Sequence, residues 1–189
     1  AGAGGADAPS LRLGGHSVGG FLETRAARLE ALAAAQNSQG LTGNAEDAVS
    51  RALLDVATFY LARGFIREGR DIAETLAQAT MSPAMEAQRD LLSAALAVLD
   101  PLWQGDIADA VATLETASGG AARVFEAYGL QRLQDADGAA AVLSNSERSF
   151  DAMPPALVER TLPPLLEAAV AAEDWTLGWG MCWGIGVIS

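Results

Sequence analysis

With 189 residues and 50% apolar content, the chain is long enough to bury one sizeable core, as a compact domain or as helical pairs stacked along an axis. A net charge of −12 excludes the basic stripe by which nucleic-acid-binding proteins track phosphates, so no nucleic-acid partner is expected. A single cysteine (Cys182) excludes an intrachain disulfide, and with a single histidine (His16) it leaves no ligand cluster of recognisable metal-binding spacing.

The apolar share is mostly alanine and leucine, with 6% aromatics. Both are strong helix formers, while β-branched residues are scattered singly, so an all-α class is expected. All twelve basic residues are arginine. Cysteine scarcity leaves the redox compartment open, because a cysteine-poor secreted protein has the same composition. Opening on alanine, the chain is expected to be a mature product or an excised fragment.

In chain order, residues 1–10 (AGAGGADAPS) are small and turn-forming, and residues 11–20 (LRLGGHSVGG) are an extended run broken by paired glycines. Residues 1–20 are therefore expected to be a flexible or extended N-terminal segment, and residues 21–189 a single helical-repeat domain. The first helix is predicted over residues 21–36, with Leu22, Ala26, Leu29, Leu32 and Ala33 as its buried face. Gly40 and Gly43 end it.

The plan of the molecule is clearest in residues 53–76, where two helical patterns meet at an Arg63-Gly64 corner. Leu53, Val56, Ala57, Tyr60 and Leu61 follow the spacing of one buried face, and Phe65, Ile66, Ile72, Ala73 and Leu76 supply a second. Gly64 is expected at positive φ, closing the first of these helices. Ser82-Pro83 starts the next helix, with Leu91, Leu92, Ala95 and Leu99 as its core face, and Asp100-Pro101 ends or kinks it.

Gly105 and Asp106 turn the chain into a helix over residues 107–114. Ser118-Gly119-Gly120 is a break, residues 122–133 a helix, and Asp135 to Gly138 a polar corner before residues 139–143. Pro154-Pro155 opens a further helix, which Pro163-Pro164 is expected to split. Residues 165–172 then lead to an acidic corner at Glu173-Asp174, and residues 175–189 carry no charge. Corners at Gly64, Gly105, near Ala136 and at Asp174 lie 41, 31 and 38 residues apart, close to the roughly 34 to 47 residues of helical solenoid repeats.

Leu53, Val56, Ala57, Tyr60, Gly64 and Gly69, followed by Pro83, resemble a tetratricopeptide repeat. Ala110, Leu114 and Ala117 after Gly105-Asp106 resemble the second helix of another, and Gly129 and Ala141 echo a third. The resemblance covers residues 45–180 and departs from the family at Pro101, where an aromatic is usual, at Ala73, where a bulky residue is usual, and in the fourth unit. The FYLARGF stretch and the alanine-rich pairs are similar to tetratricopeptide-like proteins of alphaproteobacteria, often envelope-directed. The resemblance implies antiparallel hairpins stacked as a right-handed solenoid. It also implies a protein or peptide partner bound on the concave face, no catalysis, no cofactor, and a bacterial periplasm or envelope in preference to the cytoplasm.

Two features point elsewhere. Gly15-His16-Ser17-Val18-Gly19 spells G-x-S-x-G, the nucleophile elbow of α/β-hydrolases, which makes a serine hydrolase acting through Ser17 the alternative function. That chemistry needs a histidine base later in the chain, and the one histidine lies inside the motif. Trp175, Trp179 and Trp183 recur every four residues, placing three indoles on one helix face as core or as a partner-binding surface, with a homodimer contact through this segment. Residues 175–189 are too short for the roughly 20 residues that span a bilayer, so no membrane partner is expected. Asp135, Asp137, Glu173 and Asp174 are expected to be solvated turn residues, and Cys182 a small buried hydrophobe.

Overall fold

The computed structural model describes residues 8–38, 45–145, 149–151 and 153–184. Residues 1–7 of the expected N-terminal segment, the glycine-ended turn at Gly40 and Gly43, and residues 185–189 lie outside the described residues. Within them the protein is all-α. The helices are α1 (Phe21–Asn37), α2 (Ala45–Ala62), α3 (Ile66–Leu76), α4 (Pro83–Leu99), α5 (Ile107–Glu115), α6 (Gly120–Arg132), α7 (Ala136–Ser144), α8 (Pro155–Ala171) and α9 (Trp175–Gly184), after a single 3-10 turn at Gly14–His16. Each helix packs on the next in sequence, and α2, α4, α6 and α8 also pack on one another in turn.

One kind of corner is used three times. After α2, the Gly64 N–H donates to Leu61 O (2.9 Å) and the Phe65 N–H to Tyr60 O (2.9 Å). After α6, Gln134 donates to Gln131 O (3.0 Å) and Asp135 to Leu130 O (3.0 Å); after α8, Glu173 donates to Val170 O (3.1 Å) and Asp174 to Ala169 O (2.9 Å). These paired bonds are the Schellman motif, which needs a left-handed residue in its middle. Gly64, Gln134 and Glu173 accordingly have φ of 78°, 65° and 56°. The next residue caps the following helix: Asp135 Oδ1 accepts from Gly138 N (2.9 Å) and Asp174 Oδ1 from Leu177 N (2.9 Å). One orphan end thus satisfies the other, with no connecting loop.

The α4–α5 connection is built differently. Pro101 lacks the N–H that would extend α4, and Asp100 turns inward, 1% exposed, where its carboxylate pairs with Arg70 and accepts from Leu102 N (2.9 Å). The last carbonyls of α4 are taken up by arginines from two other helices. Arg132 of α6 donates to the oxygens of Ala97, Val98 and Asp100, and Arg160 of α8 to that of Leu99. Guanidinium groups at a helix C-terminus satisfy orphan acceptors and oppose the dipole's negative end. Four helices are fastened at this one point.

Two expectations are corrected. Pro163 and Pro164 do not split the helix; both lie inside α8, which runs unbroken to Ala171. The acceptors that lose their donors are the carbonyls of Glu159 and Arg160, and both residues are exposed, a setting in which solvent can satisfy a carbonyl without a helical partner. The second correction concerns α1, which has no buried residue. The face it turns to the body is Phe21, Thr24, Arg28, Leu32 and Ala35, all half-buried, whereas Leu22, Ala26, Leu29 and Ala33 are exposed.

The hairpin of α2 and α3 carries its expected core except at Phe65, which is 40% exposed because it caps α3 at the corner and stacks on Phe21 at the surface. α2 is buried on two sides, with Leu54, Ala57 and Leu61 in the main core and Val56, Phe59 and Tyr60 in a smaller cluster facing Phe21 of α1. Residues 8–13 run back over the body, where Leu11 and Leu13 are buried and Ser10 forms a parallel bridge with Ser118.

Candidate interaction surfaces

The glycine-rich loop after Leu13 and α1 are held by α2 and the Gly64 corner through aromatic and guanidinium contacts. Phe21 stacks on Phe65 (4.8 Å between centroids) and Phe59 (5.5 Å). Arg28 and Arg63 lie over the Phe59 ring at 5.3 and 5.6 Å. Arg25 Nε donates to the Tyr60 hydroxyl (2.8 Å), and Arg28 pairs with Asp55. Arg63, at the start of the Gly64 corner, folds back to donate to the backbone oxygens of His16 (3.1 Å), Val18 (3.1 Å) and Gly19 (2.7 Å), which fixes the glycine-rich loop.

Of these three guanidiniums Arg28 pairs with the Asp55 carboxylate, while Arg25 is taken by the Tyr60 hydroxyl and Arg63 by the loop carbonyls. His16 Nδ1 lies 3.8 Å from Asp55 Oδ1, but Arg28 holds that carboxylate. Burial first, and the nearby Arg28 charge second, lower the imidazole below its ordinary 6.5 and keep it neutral at pH 7. Arg28 is itself lowered, by burial and then by the charge of Arg63.

The G-x-S-x-G stretch lies in this loop. Gly14–His16 form the 3-10 turn, and Ser17 Oγ donates to Gly14 O (3.0 Å). The strand that launches a nucleophile elbow is absent among the described residues. Asp135 and Asp174 are the helix caps described above, and Asp174 Oδ2 also accepts from Ser144 Oγ (3.0 Å). Among the described residues no three His, Cys, Asp or Glu side chains gather to hold a metal, and no helix is long and apolar enough to cross a membrane. An open depression of about 360 Å³ is lined by Arg123, Ala141, Val142 and Asn145, with Arg123 already paired to Glu126.

Exposed large apolar side chains occur along the chain, with Phe65 (40% exposed), Leu102 (60%) and Leu133 (44%) in its middle and two further groups near its ends. At the first end are Val18 (72% exposed), Leu22 (75%) and Leu29 (36%). At the other, α9 packs inward through the buried Met181 and half-buried Leu177, while Trp175 is 62% exposed and Val170, at the end of α8, 51%. Trp175 is therefore a surface residue. The side chains of Trp179, Cys182 and Trp183 lie outside the described residues. Sequence periodicity missed Arg25, Arg28 and Arg63, because a charged residue carries no face signal until its aromatic partner is known.

No family model, curated protein or solved structure matches the chain, so its functional reading rests on these surfaces.

Proposed function

We propose that the chain is a non-catalytic protein-binding scaffold made of tetratricopeptide-like helical pairs, antiparallel hairpins stacked with a right-handed sense. The observation that carries this reading is the recurring corner and the small residue four positions beyond each helix-capping residue. After Phe65, Asp106 and Asp135 these are the buried Gly69, Ala110 and Ala139, and after Asp174 it is Gly178, where a Cβ would meet nothing within 4 Å. A methyl group on Gly69 would sit 2.9 Å from Leu96 Cδ2 and 3.3 Å from Ala57 O, so the position is small because two neighbouring helices touch it. Such pairs cannot bury their apolar faces alone, and stacking makes one continuous core.

The array departs from an open solenoid. A Cβ on Gly64 would lie 3.4 Å from Ala156 of α8, and Arg160 reaches Leu99 O, so the fourth pair bears on the first and second. Partner binding is placed at the ends of the array, where large apolar side chains are exposed. The C-terminal end, with Trp175 and Val170, has the exposed aromatic anchor typical of interface hot spots. A protein or peptide partner is bound there.

Two experiments test this. Native-lysate pull-downs with wild type and Trp175→Ser should differ by a specific band lost in the variant; identical captures would refute binding at this end. Exposure to a fluorophosphonate probe should leave Ser17 unlabelled, and stoichiometric labelling would replace the scaffold reading with the hydrolase one.

A further inference from the structure

The exposed face of α1 has an order that its burial pattern alone does not require. Leu22, Ala26, Leu29 and Ala33 are separated by four, three and four residues, which is the spacing of a coiled-coil seam with leucine at the d positions and alanine at the a positions. All four are exposed, although leucine on an outer helix face gains nothing from water. The terminal helix of a stacked array ordinarily presents a polar outer face, and this one presents a seam.

The flanks of the seam identify what covers it. In that register Glu23 and Glu30 occupy the e positions, and Arg25 the g position before Glu30. When two such helices pair in parallel, each g residue faces the e residue five positions on in its partner. Arg25 of one copy then meets Glu30 of the other, twice by symmetry, while identical residues meet across the a and d layers. In an antiparallel pair the e positions face one another, and glutamates oppose glutamates. Arg25 uses only its Nε for Tyr60, so its outer guanidinium nitrogens are available.

Long-range charge favours the same helix. Each copy carries −12, so two copies repel over most of their surfaces, and α1 with two acidic and two basic residues is locally neutral. Alanine at the a positions lets the backbones approach closely, and leucine at d fills the gaps.

We infer that the chain forms a parallel, two-fold homodimer through the α1 seam, with Leu22 and Leu29 as its apolar anchors and reciprocal Arg25–Glu30 pairs setting its orientation. This dimer leaves the Trp175 end free, and its failure would leave the partner-binding reading untouched, because the two surfaces are altered by different substitutions.

Sedimentation equilibrium across a concentration series from nanomolar to hundreds of micromolar tests it. Wild type should pass from 19.4 kDa to twice that mass. Leu22→Glu should raise the dissociation constant about thirtyfold or more. Its helical circular dichroism should be unchanged, because Leu22 touches little of its own chain. Glu30→Arg should also weaken the dimer, and mixing it with Arg25→Glu should restore association as a heterodimer. In a Cys182→Ser background, Ala33→Cys should cross-link to itself under copper–phenanthroline oxidation, since identical a positions face each other only in the parallel arrangement. A wild type monomeric throughout the series, a dimer indifferent to Leu22→Glu, or an Ala33→Cys dimer that does not cross-link would each overturn the inference.

Discussion

Corners of identical geometry filled by different residues make a prediction of opposite sign. Gly64, Gln134 and Glu173 occupy the same left-handed position, with φ of 78°, 65° and 56°. A residue with a Cβ is disfavoured there by about 1 to 2 kcal/mol, while glycine's extra freedom in the unfolded chain offsets about 0.4 to 1 kcal/mol of that difference. Gly64→Ala should therefore destabilise by up to about 1.5 kcal/mol through backbone strain alone. The new methyl meets only Ala156 Cβ, at an ordinary 3.4 Å. Gly64→Val adds β-branching and should cost about 1 to 3 kcal/mol. In the reverse direction, Gln134→Gly and Glu173→Gly remove exposed side chains and should be neutral to stabilising by about 1 kcal/mol. The four variants belong in one urea series, with thermal melts beside it, where 1 kcal/mol corresponds to roughly 2 to 4 °C for a chain of this size. The reasoning fails if Gly64→Ala melts with wild type, or if Gln134→Gly is destabilised as much as Gly64→Ala.

Three further expectations concern the packing and the half-buried histidine. Tyr60→Ala should cost about 3 to 5 kcal/mol by emptying the cluster between α1 and α2, and Tyr60→Phe about 0.5 to 1.5 kcal/mol, the worth of the Arg25 hydrogen bond; equal losses in urea titrations would show the ring to be idle. Gly129→Ala places a Cβ 2.5 Å from Val111 and 3.0 Å from Val98, so despite the gain in helix propensity it should lower the melting midpoint, and a raised midpoint would mean that α5 moves aside without cost. His16, held neutral in the fold with its pKa below the ordinary 6.5, contributes stability that is whole above 6.5 and is lost as the pH falls from there to the folded value, because the unfolded chain takes up its proton first. Melting midpoints of wild type and His16→Asn should converge on acidification through that window, and parallel pH profiles would place the imidazole in solvent.

The class, most helix ends and the places of the corners were legible in the sequence, because these depend on residues adjacent in the chain, whereas the capping roles of Asp135 and Asp174 and the left-handed Gln134 and Glu173 were not. Alanine and leucine dominate, and Pro83 and Pro155 sit at first turns. The orientation of α1 was decided only by tertiary structure. In FLETRAARLEALAAAQN alanine makes nearly every face apolar, so periodicity does not say which side meets the body, and the choice fell to Phe59, Asp55 and Tyr60 on another helix, which take Phe21, Arg28 and Arg25. The unbroken α8 was likewise beyond local rules, since a proline pair inside a helix is tolerated where the bereft carbonyls reach water and packing fixes the rest. The buried Asp100 depends on Arg70, and the end of α4 that it caps depends on Arg132 and Arg160, up to 61 residues away. Neighbours in sequence set local geometry through torsions and caps, while the burial of a charge or the exposure of a leucine is set by groups that meet only after the chain has folded.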